Sequence, residues 1–370
     1  MSAKLTTKSE KLDSSSSVEY TIESDSSDYF NHGRKLPPKT TEWKMSHLLE
    51  LGIHFDKSST DLDTLMSSVK QIFRKPKQSE TDSEISKMHK CLIELTKDWW
   101  TFSFDFESAA KSLTGEGVVK TLTTAEKAIK VFEQENYNIM ENLNKTELGD
   151  WRSLQVYSVW RNNLLEFWRY FCVLLIRWGK PYQKVGRFTN LFMAFSKICF
   201  LHPEPGNTYS DILQIKDSTV RGTPDIRFMA LPPSSSGRKN LELIVVTEVK
   251  QYDAFKGDYV KGENFSSKNL SPNVLAQHGI QLLMERECSF FFPAGIVGIL
   301  CTGTKVIFTF FQISQSHYHL IRGKGKVDKT SKATISYTRP YDYMDARDRT
   351  EILEAFFWFG QVQSNPKEFT

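Results

Sequence analysis

The spacing of apolar residues divides the chain into three parts. Residues 1–45 are rich in Ser, Thr, Asp, Glu and Lys and contain few aliphatic residues. Such a segment buries too little apolar surface to offset the entropy of ordering the chain, so we predict a disordered tail there. Over residues 46–148 apolar side chains recur at steps of three and four, which predicts a helical N-terminal region. From residue 149 onward, segments with a helical period alternate with segments with a strand period.

One helix of the N-terminal region is predicted with both its start and its apolar stripe. We expect residues 58–60, Ser-Ser-Thr, to supply its N-cap. The apolar stripe consists of Leu62, Leu65, Met66, Val69, Ile72 and Phe73. Two further runs of helical period begin at Ile85 and at Thr123 or Thr124. The region carries no chemical motif, and we take the binding of a protein partner as its candidate role.

Residues 149–365 alternate between helical and strand patterns and predict a mixed α/β domain. Two apolar helices come first, over residues 154–178 and 186–200. Beyond residue 207 the period drops to two and β-branched and aromatic residues dominate. The predicted strands cover residues 212–216, 225–231, 241–250, 296–301, 306–313 and 318–321. Further helices are predicted over residues 271–287 and 348–359.

Composition and charge exclude several classes of protein. The net charge of +4 is too small to indicate a general affinity for nucleic acid, so such a site must be local. Five cysteines without a C-x-x-C motif argue against a disulfide framework and a zinc site. The first residues lack the apolar segment of a secretory signal, and the most apolar run, 164–178, contains charged residues. We therefore expect an intracellular protein of the nucleus or cytoplasm that does not span a membrane.

Charged residues lie at the ends of two of the predicted strands. Asp225 follows Pro224 at the start of one strand, and the next strand ends with Glu248, Val249 and Lys250. If the two strands are antiparallel, the end of the second lies beside Asp225. Glu248 and Lys250 are two residues apart and share one face, whereas Val249 points to the packed side. We therefore expect Asp225 and Glu248 to converge, with Lys250 next to them.

Two carboxylates and a backbone carbonyl form an all-oxygen site suited to Mg²⁺ or Mn²⁺. The predicted metal ligands are Asp225, Glu248 and the carbonyl group of Val249. Lys250 beside the ion is placed to orient or help deprotonate an attacking water and to stabilise developing negative charge. This chemistry suits phosphodiester hydrolysis. The alternative interpretation is an exposed ion pair next to an ordinary Pro-Asp turn.

The pattern of Pro-Asp followed by Glu-x-Lys on the next strand resembles the PD-(D/E)XK nuclease superfamily. The resemblance covers residues 150–360 and implies a restriction-endonuclease-like mixed β-sheet flanked by helices. It implies that Asp225 and Glu248 bind Mg²⁺ and that Lys250 is catalytic. Residues 298–314 are similar to the strand-turn-strand of the superfamily's eukaryotic versions in Crinkler-type effectors and mobile-element proteins.

The resemblance also implies two supporting residues. Many members carry a glutamine on the helix after the lysine strand, and Gln281 in the sequence QLL matches better than Gln277. Members usually have an acidic residue on the helix before the first strand. The predicted helix 186–200 has neither Asp nor Glu, so Glu166 on the preceding helix is the substitute. A structural pair between Glu166 and Arg169 is the alternative.

Basic residues near the motif are candidate contacts for a nucleic acid. Beyond Lys250, lysines are interleaved with aromatic residues, a composition that suits a phosphate backbone. The predicted contacts are Arg221, Arg227, Lys256, Lys261 and Lys268. The interleaved aromatic residues are Tyr252, Phe255, Tyr259 and Phe265. Three acidic residues dilute the charge of this loop, so a solvated loop is the alternative. His278, beside Gln277, is a further candidate to face the site.

Together these patterns favour a Mg²⁺-dependent phosphodiesterase that acts on DNA, with RNA as the alternative substrate. The competing hypothesis is a catalytically inactive protein that keeps the nuclease fold and serves as an effector or as a module that binds nucleic acid or protein. The two differ in whether the pair of carboxylates supports metal-dependent cleavage.

Overall fold

A computed structural model gives the conformation of most of the chain. It describes residues 36–73, 151–177, 186–206, 211–230, 243–250, 254–255, 264–325, 327 and 332–369, with residues 103, 123 and 127. The described residues belong to one compact unit, Leu36–Thr370. Several predictions lie wholly or mostly outside the described residues and stay predictions. They are the disordered tail over residues 1–35, the helical runs that begin at Ile85 and at Thr123 or Thr124, the boundary at residues 148 and 149, and the contacts Lys256 and Lys261.

Helices and strands are numbered here in chain order. The first are α1 (Met45–Glu50), β1 (Ile53–Phe55), α2 (Leu62–Lys70), α3 (Trp151–Ile176) and α4 (Gly186–Ile198). Next come β2 (Pro203–Pro205), β3 (Asp211–Ile215), β4 (Ser218–Gly222), β5 (Ile226–Met229), β6 (Leu243–Lys250) and α5 (Pro272–Glu285). The last are β7 (Ile296–Thr302), β8 (Lys305–Gln312), α6 (Gln315–Lys324), β9 (Ala333–Tyr337), β10 (Tyr341–Asp342) and α7 (Ala346–Ser364).

The fold is mixed α/β, with a central sheet flanked by helices, as the sequence predicts. The strand order is β1-β9-β8-β7-β6-β5-β2, and β10 pairs with the start of β8. The pairs β6–β7 and β1–β9 are parallel, and the other pairs are antiparallel. Strands β3 and β4 form a separate hairpin. Helix α5 connects β6 to its parallel neighbour β7, as a parallel crossover requires.

The two faces of the sheet are covered by different helices. Side chains of α2, α3, α4 and α7 pack on one face, which includes Val245 and Val249 of β6. Side chains of α1, α5 and α6 pack on the other face, which includes Val246. We call these the α3 face and the α5 face. Because β6 is central and both its faces are covered, its sequence reads as a nearly continuous apolar run, and Glu248 and Lys250 stand out within it.

Residues from the N-terminal part of the chain join this sheet and its core. Strand β1 pairs with β9, and α2 packs on the α3 face through Leu65 and Val69. Residues 36–45, assigned to the disordered tail, include a 3-10 helix at Thr40–Glu42 and the buried Trp43. The tail prediction is wrong for these residues, because the indole supplies apolar surface that the Ser-rich segment lacks.

Two local predictions are also wrong. The cap of α2 is Asp61, whose side chain accepts a hydrogen bond from the Thr64 backbone N–H, rather than residues 58–60. Residues 318–321 belong to α6 instead of a strand. Ser314 caps the start of that helix, and Gly325 ends it with a left-handed backbone, φ 68°. These two end signals prevail over the short alternation of apolar residues between them.

Candidate functional site

Asp225 and Glu248 lie next to each other where β5 begins and β6 ends. Ile226 pairs with Thr247, so Asp225 and Glu248 occupy the next position of the same antiparallel register. The Asp225 backbone N–H donates to the Thr247 carbonyl oxygen at 3.1 Å. The Asp225 Oδ2 atom accepts a hydrogen bond from the Val249 N–H at 2.7 Å, which fixes this carboxylate against β6.

Glu248, Lys250 and Gln277 form a closed set of hydrogen bonds on the α5 face. The Lys250 Nζ and Gln277 Nε2 atoms each lie 2.5 Å from Glu248 Oε1, and Lys250 also donates to Gln277 Oε1 at 3.1 Å. The Glu248 side chain is 3% exposed and that of Lys250 is 23% exposed. Glu248 Oε2 is buried and has no hydrogen-bond partner among the described residues. One glutamate oxygen is therefore fixed, and the other is left for a ligand.

Burial and mutual repulsion disfavour the ionised forms of both acids. Burial raises the pKa of Glu248 to about 7, and the nearby charge of Asp225 adds to the rise, while Lys250 and Gln277 oppose it. Burial also raises the pKa of Asp225, against the effects of the Val249 N–H and Lys250. One ammonium group therefore offsets the two carboxylates only in part, and a cation between them would stabilise both charges.

The donor set fits a hard divalent cation. In the part of the chain that the structure describes, no group of three or more His, Cys, Asp or Glu side chains could hold a metal ion. The predicted set has two carboxylate side chains and the Val249 carbonyl group, an all-oxygen set that leaves room for water and phosphate ligands. The Val249 side chain is buried on the α3 face, as the alternation along β6 predicts. Its carbonyl group stays a predicted ligand.

The glutamine that contacts the motif is Gln277, whereas the sequence favours Gln281. Gln281 lies one helical turn further along α5, is 1% exposed, and has an Oε1 atom without a hydrogen-bond partner among the described residues. The difference arises because residues four apart share a helix face, so the sequence places both glutamines toward the sheet. Only the packing of α5 on β6 determines which of them reaches Glu248.

Glu166 does not join the two carboxylates. Its Oε1 atom lies 2.9 Å from the Nζ atom of Lys197 on α4, and both side chains are about one-third exposed. The pair therefore links two helices that cover the α3 face, whereas Glu248 and Lys250 lie on the α5 face. Its partner is also not Arg169, the alternative that the sequence suggests. Nothing in the described contacts connects Glu166 with the candidate metal ligands.

Arg227 has a structural position, so its assignment to nucleic-acid binding is wrong. It is buried and its guanidinium group contacts the carboxylates of Asp211 and Glu285, with a distance of 2.5 Å between Nη2 and Glu285 Oε1. A guanidinium group held by two acids on a buried face cannot reach a phosphate backbone. Arg221 and Lys268 are exposed and stay candidate contacts.

Two other predicted neighbours of the site face elsewhere. Phe265 is buried in a cluster with Leu270 and Tyr337, so it is a core residue rather than a stacking surface for bases. The ring of His278 is buried and its Nε2 atom lies 2.8 Å from Thr309 Oγ1 on β8. Burial lowers the pKa of His278 to about 3, so the imidazole is neutral at physiological pH.

The turn between β7 and β8 reaches the site, which the sequence does not reveal. The Gly303 N–H donates to the Lys250 carbonyl oxygen at 2.9 Å. Residues 298–314 are predicted only as a strand-turn-strand, because the parallel pairing of β6 with β7 brings together segments about 50 residues apart. No local pattern carries that information.

Comparisons with known proteins leave the candidate site to be interpreted from its geometry. No family model matches the chain, and no curated protein is similar enough to count as a relative. Among the described helices, none is both long enough and apolar enough to cross a membrane.

Proposed function

We propose that the chain is a metal-dependent nuclease that hydrolyses phosphodiester bonds, with DNA as its substrate. The observation that carries the proposal is the meeting of Asp225, Glu248 and Lys250 at one point, with a buried glutamate oxygen that has no partner among the described residues. A buried polar atom needs a partner, which a protein group, a water or a bound ligand can supply.

The architecture is consistent with a restriction-endonuclease-like fold. The sheet is mixed and flanked by helices on both faces, and the motif residues lie on two adjacent antiparallel strands. Helix α5, which follows the lysine strand, supplies a glutamine to the motif. The agreement between motif order, strand pairing and the following helix favours membership of the PD-(D/E)XK superfamily, which we propose on these grounds.

Each residue of the site has a distinct task under this proposal. Asp225 Oδ1, Glu248 Oε2 and the Val249 carbonyl oxygen would hold Mg²⁺ or Mn²⁺. When bound, such an ion makes its water more acidic and offsets negative charge on the phosphate. Lys250 presents a partly exposed ammonium group that can orient the attacking water and stabilise the charge developing on the phosphate oxygens. Gln277 holds the side chains of Lys250 and Glu248 in place by hydrogen bonding to both.

A catalytically inactive binding module is the second candidate. The direct contact between Lys250 and Glu248 at 2.5 Å favours it, because a satisfied ion pair can serve a purely structural role. This candidate leaves the buried Glu248 Oε2 atom without an explanation. It predicts nucleic-acid or protein binding that does not depend on a divalent ion.

Metal-dependent cleavage of labelled DNA tests the proposal. The wild-type chain should cleave DNA in Mg²⁺ or Mn²⁺ and not in EDTA, with the same assay on RNA to distinguish the two polymers. Asp225→Asn and Lys250→Gln should each lower the rate by about 10² to 10⁴-fold, since each removes a group that acts on the reacting atoms. Glu166→Gln is the matched control and should retain the wild-type rate. Equal cleavage by all four proteins, or none by the wild type in either metal, would refute the proposal.

A further inference from the structure

Strand pairing connects the candidate site on β6 with residues on β7 and β8. Lys250 on β6 pairs with Thr302 on β7, and Thr302 pairs with Lys305 on β8. Residues paired directly across neighbouring strands point to the same face. With strands about 4.8 Å apart, the Cα atoms of the two lysines are about 10 Å apart. We call Lys250, Thr302 and Lys305 the lysine row.

The row lies on the same face as the glutamate. The preceding pairs in the same register are Glu248 with Leu300 and Leu300 with Ile307. Leu300 and Ile307 pack in one cluster with Leu275 of α5. Because side chains alternate along each strand, Thr302 and Lys305 share the α5 face with Leu300 and Ile307. Thr302 is fully buried, so the two lysines are the groups of the row that solvent can reach.

Backbone and side-chain contacts fix Lys305 at this end of the sheet. The Gly303 N–H donates to the Lys250 carbonyl oxygen, and Gly303 has φ 62°, a left-handed conformation that suits glycine. The Lys305 Nζ atom stands 5.3 Å from the centroid of the Phe255 ring, within the range of a cation–π interaction. Phe255 in turn meets Phe265 edge-on at 6.4 Å. The buried Phe265 therefore anchors the ring that positions the ammonium group.

A partly buried acid lies across the sheet from Lys305. Asp342 pairs with Lys305 in the register of β10 and β8. Its Oδ1 atom accepts a hydrogen bond from the Met344 N–H at 2.8 Å, and burial raises the pKa of its carboxyl group to about 7. The charge of Lys305 acts against this rise in the pKa, so the two groups interact. The row presents two positive groups at a spacing within reach of neighbouring phosphates, because one strand carries a phosphate every 3.4 Å or so along a duplex axis.

We propose that Lys305 is a further nucleic-acid-binding residue, which contacts a backbone phosphate beside the one that Lys250 engages, and that Phe255 positions it. This inference rests on the proposed function and adds a second contact to the same site. It assigns a role to the β7–β8 turn. The contact supplies affinity without base specificity, since phosphates carry no sequence information.

Binding of a fluorescein-labelled DNA to the full chain in EDTA, over a series of salt concentrations, tests the assignment. Lys305→Gln should raise the Kd about tenfold at low salt, as expected for the loss of one charge-assisted hydrogen bond. It should also lower the slope of log K against log salt by about 0.7 to 0.9, the loss of one neutralised phosphate. Lys305→Arg should keep the wild-type slope. Phe255→Leu should raise the Kd by a smaller factor and leave the slope unchanged, since the charge remains.

Lys324→Gln is the matched control. Lys324 is exposed on α6, the helix that follows the opposite end of β8. It should retain the wild-type Kd and slope. A Lys305→Gln protein that binds as the wild type does overturns the inference, even if the wild type cleaves DNA and Asp225→Asn does not. A wild-type chain that does not bind DNA in this assay overturns the inference, and one that also fails to cleave DNA in Mg²⁺ or Mn²⁺ overturns the proposed function as well.

Discussion

Replacing Glu248 by glutamine should change the stability of the protein in a pH-dependent way. Burial and the charge of Asp225 raise the pKa of Glu248 to about 7 from an ordinary value of 4.5. Between these pH values the folded chain keeps a proton that the unfolded chain releases. The free energy of unfolding therefore has its full contribution from Glu248 below pH 4.5 and loses it as the pH rises through about 7.

The size of this effect follows from the same two pKa values. A difference between about 7 and 4.5, at about 1.4 kcal/mol for each pKa unit, amounts to roughly 3 kcal/mol. Glu248→Gln keeps the shape of the side chain and does not ionise. The variant should therefore gain roughly 3 kcal/mol relative to the wild type between pH 4.5 and pH 8 in metal-free buffer. Urea unfolding at several pH values measures this difference.

Addition of Mn²⁺ at pH 8 distinguishes a metal site from an ordinary buried acid. The ion should stabilise the wild type and not Glu248→Gln, because it binds only the native arrangement of carboxylates. Asp342→Asn is the matched control, since burial also raises the pKa of Asp342 to about 7. It should show the same trend with pH and still respond to Mn²⁺. A stability difference that does not vary with pH, or an equal response of Glu248→Gln to Mn²⁺, contradicts the reasoning.

Three further predictions concern the residues around the motif. Gln277→Met should reduce the rate of cleavage at least tenfold, whereas Gln281→Met should keep the wild-type rate. Gln281→Met should also leave the free energy of unfolding equal or higher by about 1 kcal/mol. The reverse ranking of the two variants in steady-state kinetics would make Gln281 the glutamine of the site. Arg227→Met should lower the free energy of unfolding in urea by about 3 to 5 kcal/mol, because it leaves buried acids unpaired. Arg221→Ala should lower it by less than about 0.5 kcal/mol, and equal losses would contradict the buried position of Arg227. Glu166→Gln should lower the free energy of unfolding by less than about 1 kcal/mol. A large loss of cleavage activity in this variant would show that Glu166 belongs to the site.

The fold class and four strands of the central sheet, β5 to β8, could be predicted from local patterns. Strand β6 and helices α3, α4 and α5 are confirmed because each has a clear period or a long apolar run. Strands β1, β2, β4, β9 and β10 were not predicted. Residues 318–321 were predicted as a strand, but the cap of α6 prevails over their alternation of apolar residues. The pairing of β1 with β9 joins residues about 280 positions apart, and no local pattern carries it.

The site was predictable where it depends on neighbouring strands. The convergence of Asp225, Glu248 and Lys250 follows from one antiparallel pair and a period of two, which the sequence contains. The choice between Gln277 and Gln281 depends on how α5 packs on β6. The position of Lys305 depends on the order of β6, β7 and β8, and the burial of Arg227 depends on two acids from other elements. These three features are tertiary, so the sequence alone left them open or misplaced.

The position of a divalent ion tests the central claim most directly. A crystal of the full chain soaked in Mn²⁺ should show an anomalous difference peak between Asp225 and Glu248, with oxygen ligands at about 2.1 to 2.2 Å and Lys250 beside it. The same soak of Glu248→Gln should lose the peak. A wild-type crystal in which Lys250 still bonds to Glu248, and in which no peak lies between the two carboxylates at saturating Mn²⁺, would contradict the account.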